Sequence, residues 1–188
     1  MTVAIQMVNA GYSCVLFEKN KYPFHKVCGE YVSFESWAFL NRIGLPLEKL
    51  NLPVIDTLLL TAPNGKAFKT KLPLGGFGIS RFQLDSRLAS IARKNGVVVL
   101  EETKIDNLGF EERFQFQLNS KTIDSEICCA AYGKRSNLDI KWKRNFLRAT
   151  NKRLDNYVGV KYHIKTNWES NVIGLHNFEN GYCGVSIS

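Results

Sequence analysis

The sequence has 188 residues, 45% of them hydrophobic and 22% charged, and a formal net charge of +8. These values describe an ordinary folded protein with one sizeable core, or one domain and part of another, and they exclude intrinsic disorder. No apolar run approaches the ~20 residues that span a bilayer, and the start, MTVAIQMVNAGYS, lacks the features of a secretory signal.

Apolar residues at Val3, Ala4, Met7 and Val8 recur at helical spacing, and Gly11 supplies the stop. Ser13 to Phe17 (SCVLF) is a short apolar run of the kind buried on both faces of a sheet, and it ends in Glu18. Helix, glycine, strand and terminal acid describe the second half of a βαβ unit. Residues 19–33 hold Pro23 and Gly29 without periodicity and read as a loop. Phe34 to Ile43 reads as a helix with Ser33 at its N-cap, Trp37 and Leu40 inward and Gly44 at its stop.

Ile55–Thr61 and Lys66–Leu72 flank the turn Ala62-Pro63-Asn64-Gly65 and predict a hairpin, with Gly75, Gly76 and Gly78 in a following loop. Leu84 to Lys94 is amphipathic through Leu84, Leu88, Ile91 and Ala92, and Asn95-Gly96 closes it before a buried strand, Val97–Leu100. Phe114–Leu118 and Thr122–Cys128 pair around residues 119–121. After the Gly133 turn, Trp142, Phe146 and Ala149 mark a basic helix. Tyr157–Ile164, Val172–His176 and Tyr182–Ile187 read as strands. Helix–strand units interleaved with meander-like strands predict an α/β protein, a nucleotide-binding domain interrupted by a β-rich one.

Cysteines 14, 28, 128, 129 and 183 are odd in number and show no metal-site spacing, so they read as reduced thiols of a cytoplasmic protein, with no metal. The basic residues gather in one window, Lys134, Arg135, Lys141, Lys143, Arg144, Arg148, Lys152 and Arg153, relieved only by Asp139. Such a run is either a solvated helix face or a contact for an anionic surface. It lacks the aromatic stacking motif of RNA binders, so no nucleic acid is expected, and residues 134–153 stand as a candidate peripheral membrane contact.

AGYSCVLFEK (Ala10–Lys19), YPFHKVCGEYVS, ISRFQLDSRLASIARKNGV, AYGKRSNLD, YVGVKYHI and LHNFENGYCGVS together resemble the FAD-dependent oxidoreductases, and within them the geranylgeranyl-reductase-like bacterial flavoprotein dehydrogenases. The resemblance implies an FAD/NAD(P)-binding Rossmann-like domain, residues 1–50 and 80–150, interrupted by a β-sheet substrate domain, residues 51–79 and 151–188. In the family a first strand and GxGxxG turn precede the part matched here. The sequence lacks them, so both domains are expected to be incomplete and the chain alone to carry little FAD.

The implied activity is a dehydrogenase or reductase acting on a hydrophobic, prenyl-like substrate. The alternatives are a flavin monooxygenase or halogenase, and a non-catalytic remnant or half of a split flavoprotein that needs a partner chain. An acid at the tip of the second strand of a dinucleotide fold can accept hydrogen bonds from a ribose, so Glu18, beside Lys19, is either a cofactor ligand, as the resemblance implies, or a solvent-exposed strand-end acid. The Cys28-Gly29-Glu30 loop would lie beside the isoalloxazine, since glycine lets a backbone approach a flat ring. Cys28, near His25 and Lys26, is either a redox thiol or packing. Arg81, just before a helix, either binds FAD's phosphates or ribityl oxygens or pairs with Asp85 at i+4. Ala131, Gly133 and Ser136 resemble a second cofactor-side turn in which Tyr132 replaces the family's usual acid. Tyr182 is either a substrate-facing wall or sheet core. No catalytic acid, base or nucleophile is visible, as befits an enzyme whose cofactor carries the chemistry.

Overall fold

The computed structural model describes residues 1–118, 121–133, 137–145 and 157–188. The chain forms two compact units, one of Met1–Leu16, Lys21–Val99 and Tyr157–Ser188, the other of Phe17–Asn20 and Leu100–Asn156. The predicted basic helix beyond residue 145, with Phe146 and Ala149, lies outside the described residues, as does Ser136.

Helix α1 spans Thr2–Asn9 and ends at Gly11, whose φ of 88° is the left-handed conformation expected of a helix-stopping glycine. It buries Ala4 and Ile5 and leaves Val3 exposed, so the inward stripe is turned one residue from the predicted one. Strand β1 (Val15–Phe17) pairs with a later strand, β5 (Val98–Leu100). The bonds Val98 N–H to Cys14 O and Glu18 N–H to Leu100 O advance together, the parallel pattern. Burial on both faces is not found: Val15 is 41% and Val98 52% exposed. Among the described strands each of the two has only the other as a neighbour.

The predicted loop 19–33 contains a strand, β2 (Tyr31–Ser33). Ser33 then caps a 3-10 turn, its Oγ accepting from Glu35 N–H, and the turn runs into α2 (Trp37–Arg42). Strand β3 (Val54–Thr61) forms the predicted hairpin with β4 (Ala67–Gly78). Here the sequence reading needs correction, because β4 continues through Gly75, Gly76 and Gly78. These glycines serve close approach: a Cβ on Gly76 would meet the Val32 carbonyl and the Tyr31 ring, and one on Gly78 the Ile187 carbonyl.

Helix α3 (Arg81–Lys94) begins three residues earlier than its apolar pattern suggests, because Ser80 is its N-cap and accepts from Gln83 N–H. Arg81 is therefore the first helical residue. Leu88, Ala89 and Ala92 are buried on α3, and Gly96 follows with φ 100°. The core of this unit gathers Ile5, Leu40, Leu45, Leu47, Phe77 and Leu88, with Trp37 edge-on to Phe77 at 5.1 Å.

In the other unit, β6 (Asn107–Phe110), β7 (Phe114–Leu118) and β8 (Lys121–Ser125) form an antiparallel meander. β6 was not predicted; it is four residues long and carries Gly109. β8 ends before the predicted Cys128. Helix α4 (Asn137–Lys141) follows, and Trp142 Nε1 donates to Leu108 O at 3.0 Å.

Strands β9 (Val172–Phe178) and β10 (Gly181–Val185) complete a five-stranded sheet of order β10-β9-β3-β4-β2, with β3 and β9 parallel and the other pairs antiparallel. Asp56 stands at the β3 bulge between Ile55 and Thr57 and accepts from Lys71, Thr57 and Asn171, contacts that hold its carboxyl well below the usual range. Residues 157–169 belong to no helix or strand, so the strand predicted at Tyr157–Ile164 is not formed. Its alternation is present, but no described strand lies beside it to supply a ladder.

Candidate functional site

The most concentrated polar site surrounds Glu30, which is 4% exposed and adopts a left-handed φ of 57°. Buried carboxylates need partners, and four converge here. Glu30 Oε1 accepts from Lys161 Nζ and, at 2.6 Å, from the backbone N–H of Arg81. Oε2 lies 3.2 Å from His163 Nε2 and accepts from Ser188 Oγ at 3.1 Å. Burial pushes this carboxyl upward, and donation from Lys161, Arg81 N–H, His163 and Ser188 outweighs it, so Glu30 is held below its ordinary value. The backbone on either side of Glu30 is fixed as well. Ile79 N–H donates to Glu30 O at 2.9 Å, Glu30 N–H points at Cys28 Sγ at 3.5 Å, and Ser186 Oγ donates to Gly29 O at 2.9 Å.

A second charged group adjoins it. Asp85, nearly enclosed at 5% side-chain exposure, takes a fork from Arg81, Nε at 3.0 Å and Nη2 at 2.8 Å, and an ammonium from Lys26 at 3.1 Å. The Asp85 contact, with a smaller contribution from Cys28, raises the Arg81 guanidinium above its usual value. His25 stacks on Phe82 at 4.8 Å and meets His163 edge-on at 5.0 Å. Together His25, Lys26, Val27, Lys161 and His163 line a cleft of about 270 Å³.

The predicted site residues thus fall into distinct surroundings. Cys28, Glu30 and Arg81 are brought together. Gly29 is exposed, and nothing lies within 4 Å of where its Cβ would be. Tyr182, on β10, is 66% exposed. In the other unit, Glu18 follows β1 directly and its Oε1 accepts from Asn20 N–H at 3.0 Å, while Lys19 is exposed. Gly133 has φ 86° and is exposed. Tyr132 donates its hydroxyl to buried Asp139 at 2.6 Å, a bond that raises the phenol's pKa.

Sequence reasoning missed the partners Lys161, His163 and Ser188, the cap that Glu30 places on Arg81 N–H, and the bond from the Tyr132 hydroxyl to Asp139. One signal was available: Lys161 and His163 stand two residues apart, on one face of an alternating segment, and therefore converge on one acceptor.

No protein-family model matches the sequence. No curated protein matches it. Solved structures do. The halogenase PltM, crystallised with phloroglucinol and FAD, superposes with a TM-score of 0.63 at 15% identity, covering 76% of this chain and 34% of PltM. The myxobacterial chondrochloren halogenase CndH, described as an FAD-dependent halogenase, gives 0.54 at 17% identity, covering 65% and 32%. A flavoprotein/dehydrogenase from Cytophaga hutchinsonii gives 0.53 at 20% identity, covering 66% and 34%. The chain spans about a third of the length of these proteins and has the fold of the corresponding part of them.

Proposed function

We propose that the chain is part of an FAD-dependent oxidoreductase that moves electrons between its flavin and a hydrophobic, prenyl-like substrate. The observation that carries this reading is the shared fold with an FAD-bound halogenase and a flavoprotein/dehydrogenase. The chain's own residues fit FAD in two places. Glu18 is a carboxylate at the tip of a parallel strand, held in place by Asn20 N–H, which suits a ribose hydroxyl pair. The exposed Gly29 backbone, with open space beside it, suits a flat ring. FAD would supply the redox chemistry; the protein would bind it, orient it and exclude water. On this reading residues 1–50 and 80–150 serve the cofactor, and residues 51–79 and 151–188, with Tyr182, serve the substrate. Its subgroup is geranylgeranyl-reductase-like, on the motifs quoted above. The five cysteines, all free thiols, suit a cytoplasmic location.

A second reading, a flavin-dependent halogenase, is favoured by the similarity to PltM and CndH. One experiment serves both. The protein bearing this sequence is loaded with FAD, reduced anaerobically, and offered either a prenyl alkene or a phenol with bromide and air. Reoxidation with alkene saturation supports the reductase, and a brominated phenol supports the halogenase. Failure of the full-length protein that contains this sequence to take up any flavin, read from the visible absorbance, overturns both.

A further inference from the structure

Residues 157–164 divide cleanly between two faces. Val158, Val160, Tyr162 and Ile164 point outward and are between 71% and 83% exposed, and Tyr157 is exposed at their head. The intervening residues turn toward the protein: Gly159 lies against Val27, Lys161 is largely enclosed on Glu30, and His163, its side chain half-exposed, also reaches Glu30. The outward face is therefore a continuous apolar strip without a charge, because the one lysine within it is turned inward onto a carboxylate. Contiguous exposed apolar residues mark an interaction surface.

We propose that this strip, Tyr157–Ile164, docks the protein on an anionic lipid bilayer. Charge selects that occupant. A chain of net charge +8 repels a second copy of itself and is drawn to a negative surface. In sequence Leu154, Asp155 and Asn156 separate the strip from the basic run 134–153, and Lys165 follows it. Its residue types match the interface: two tyrosines with a polar tip on an apolar body, and β-branched aliphatics between them. A segment lying at headgroup depth keeps its backbone hydrated, so the absence of a ladder among the described residues carries no penalty there, as it would in hydrocarbon. The inference does not depend on the flavin reading.

The test is co-sedimentation with vesicles of phosphatidylcholine alone and of phosphatidylcholine with about one-third phosphatidylglycerol, at low and high salt. The anionic vesicles are expected to bind the protein, with binding weakened by salt. The exposed-site variant Val160→Ser/Tyr162→Ser is expected to lower the partition coefficient roughly tenfold, with an unchanged circular dichroism spectrum. In the unaltered protein, bound vesicles are expected to slow amide exchange in residues 157–165. No binding to anionic vesicles, binding that leaves exchange there unchanged, or a self-associated protein that the double substitution dissociates would each overturn the proposal. The last outcome would identify a second copy as the occupant. These arms read lipid and self-association alone, so a failed flavin assay leaves them unaffected.

Discussion

The carboxylate of Glu30 caps α3 from outside the helix, accepting at 2.6 Å from the N–H of Arg81, a residue 51 positions later in the chain. That N–H is one of the first-turn donors a helix cannot satisfy internally, and an anion there also meets the positive end of the helix dipole. Ser80 supplies the local cap to Gln83 and Glu30 the distant one, so the Cys28-Gly29-Glu30 loop and the start of α3 are fixed to each other. The same carboxylate draws in Lys161, His163 and Ser188, which makes it the tie between four separate stretches of the chain.

Replacing Glu30 tests that role. Glu30→Gln keeps the shape but leaves the Lys161 ammonium, 16% exposed, facing a neutral amide. Breaking one side of a buried pair costs about 3–5 kcal/mol, a large part of the ~5–15 kcal/mol that holds a domain together. Urea unfolding followed by tryptophan fluorescence should show a clearly lower midpoint. A midpoint equal to that of the unaltered protein would reduce Glu30 to a spectator.

Acid should act on the same group. Glu30 is held below its ordinary value of 4.5, so its contribution is fully present above that value and is lost as pH falls through the lower, folded-state value. The stability gap between the native protein and Glu30→Gln should therefore be constant near neutrality and shrink below about pH 4.5. A gap that instead widens on acidification would show that the carboxyl is protonated in the folded protein.

Asp85 offers a second case with different geometry. It is enclosed and holds both Arg81, through a two-bond fork, and Lys26. Asp85→Asn leaves two cations around a neutral amide, with an expected loss of about 3–5 kcal/mol. Arg81→Lys should cost less, about 1–2 kcal/mol, because a point charge keeps the attraction and loses the fork. No measurable loss for Arg81→Lys would mean that the guanidinium geometry is irrelevant.

Gly78→Ala addresses the close approach of β4 to the chain end. A Cβ there meets the Ile187 backbone, which has no flexible end to move aside. The expected cost is about 1–3 kcal/mol, and residues 186–188 should loosen, with loss of the Ser186–Gly29 and Ser188–Glu30 bonds. Faster amide exchange confined to the C-terminal residues is the signature; an unchanged exchange pattern counts against the contact.

What the sequence disclosed and what it hid follow one division. Local signals worked: Gly11, Gly44 and Gly96 stop their helices in the left-handed conformation, Ser33 caps its turn, and Ala62–Gly65 closes the β3–β4 hairpin. Contacts between distant segments were hidden. Gly76 and Gly78 look like loop glycines because the backbones that press on them, at Val32 and Ile187, are remote in sequence. Glu30 was singled out for its place beside Gly29, and the reason it is buried lies in Lys161 and His163, more than 130 residues away. Arg81 had two readings open, and the Asp85 fork that occupies it is the i+4 pair that helical spacing allows.

Glu18 carries the prediction that bears directly on the proposed cofactor. Its backbone N–H is already committed to Leu100 O and its Oε1 accepts from Asn20 N–H, which hold the carboxylate at the strand tip. If it receives a ribose hydroxyl, Glu18→Ala removes one or two charge-assisted bonds and should weaken FAD binding by about 1.5–3 kcal/mol for each at most, roughly a tenfold to hundredfold rise in Kd for each bond lost. Glu18→Asp keeps the charge on a shorter arm and should weaken binding less. Glu18 is half-buried just beyond β1, so the unfolding midpoint of each variant is measured beside its affinity, which separates a cofactor effect from a folding one. Titrating each variant of the full-length protein that contains this sequence with FAD, and following the quenching of flavin fluorescence, gives the two affinities. Equal affinity for Glu18→Ala and the unaltered protein would remove Glu18 from the cofactor site and leave it as a strand-end acid that orders Asn20.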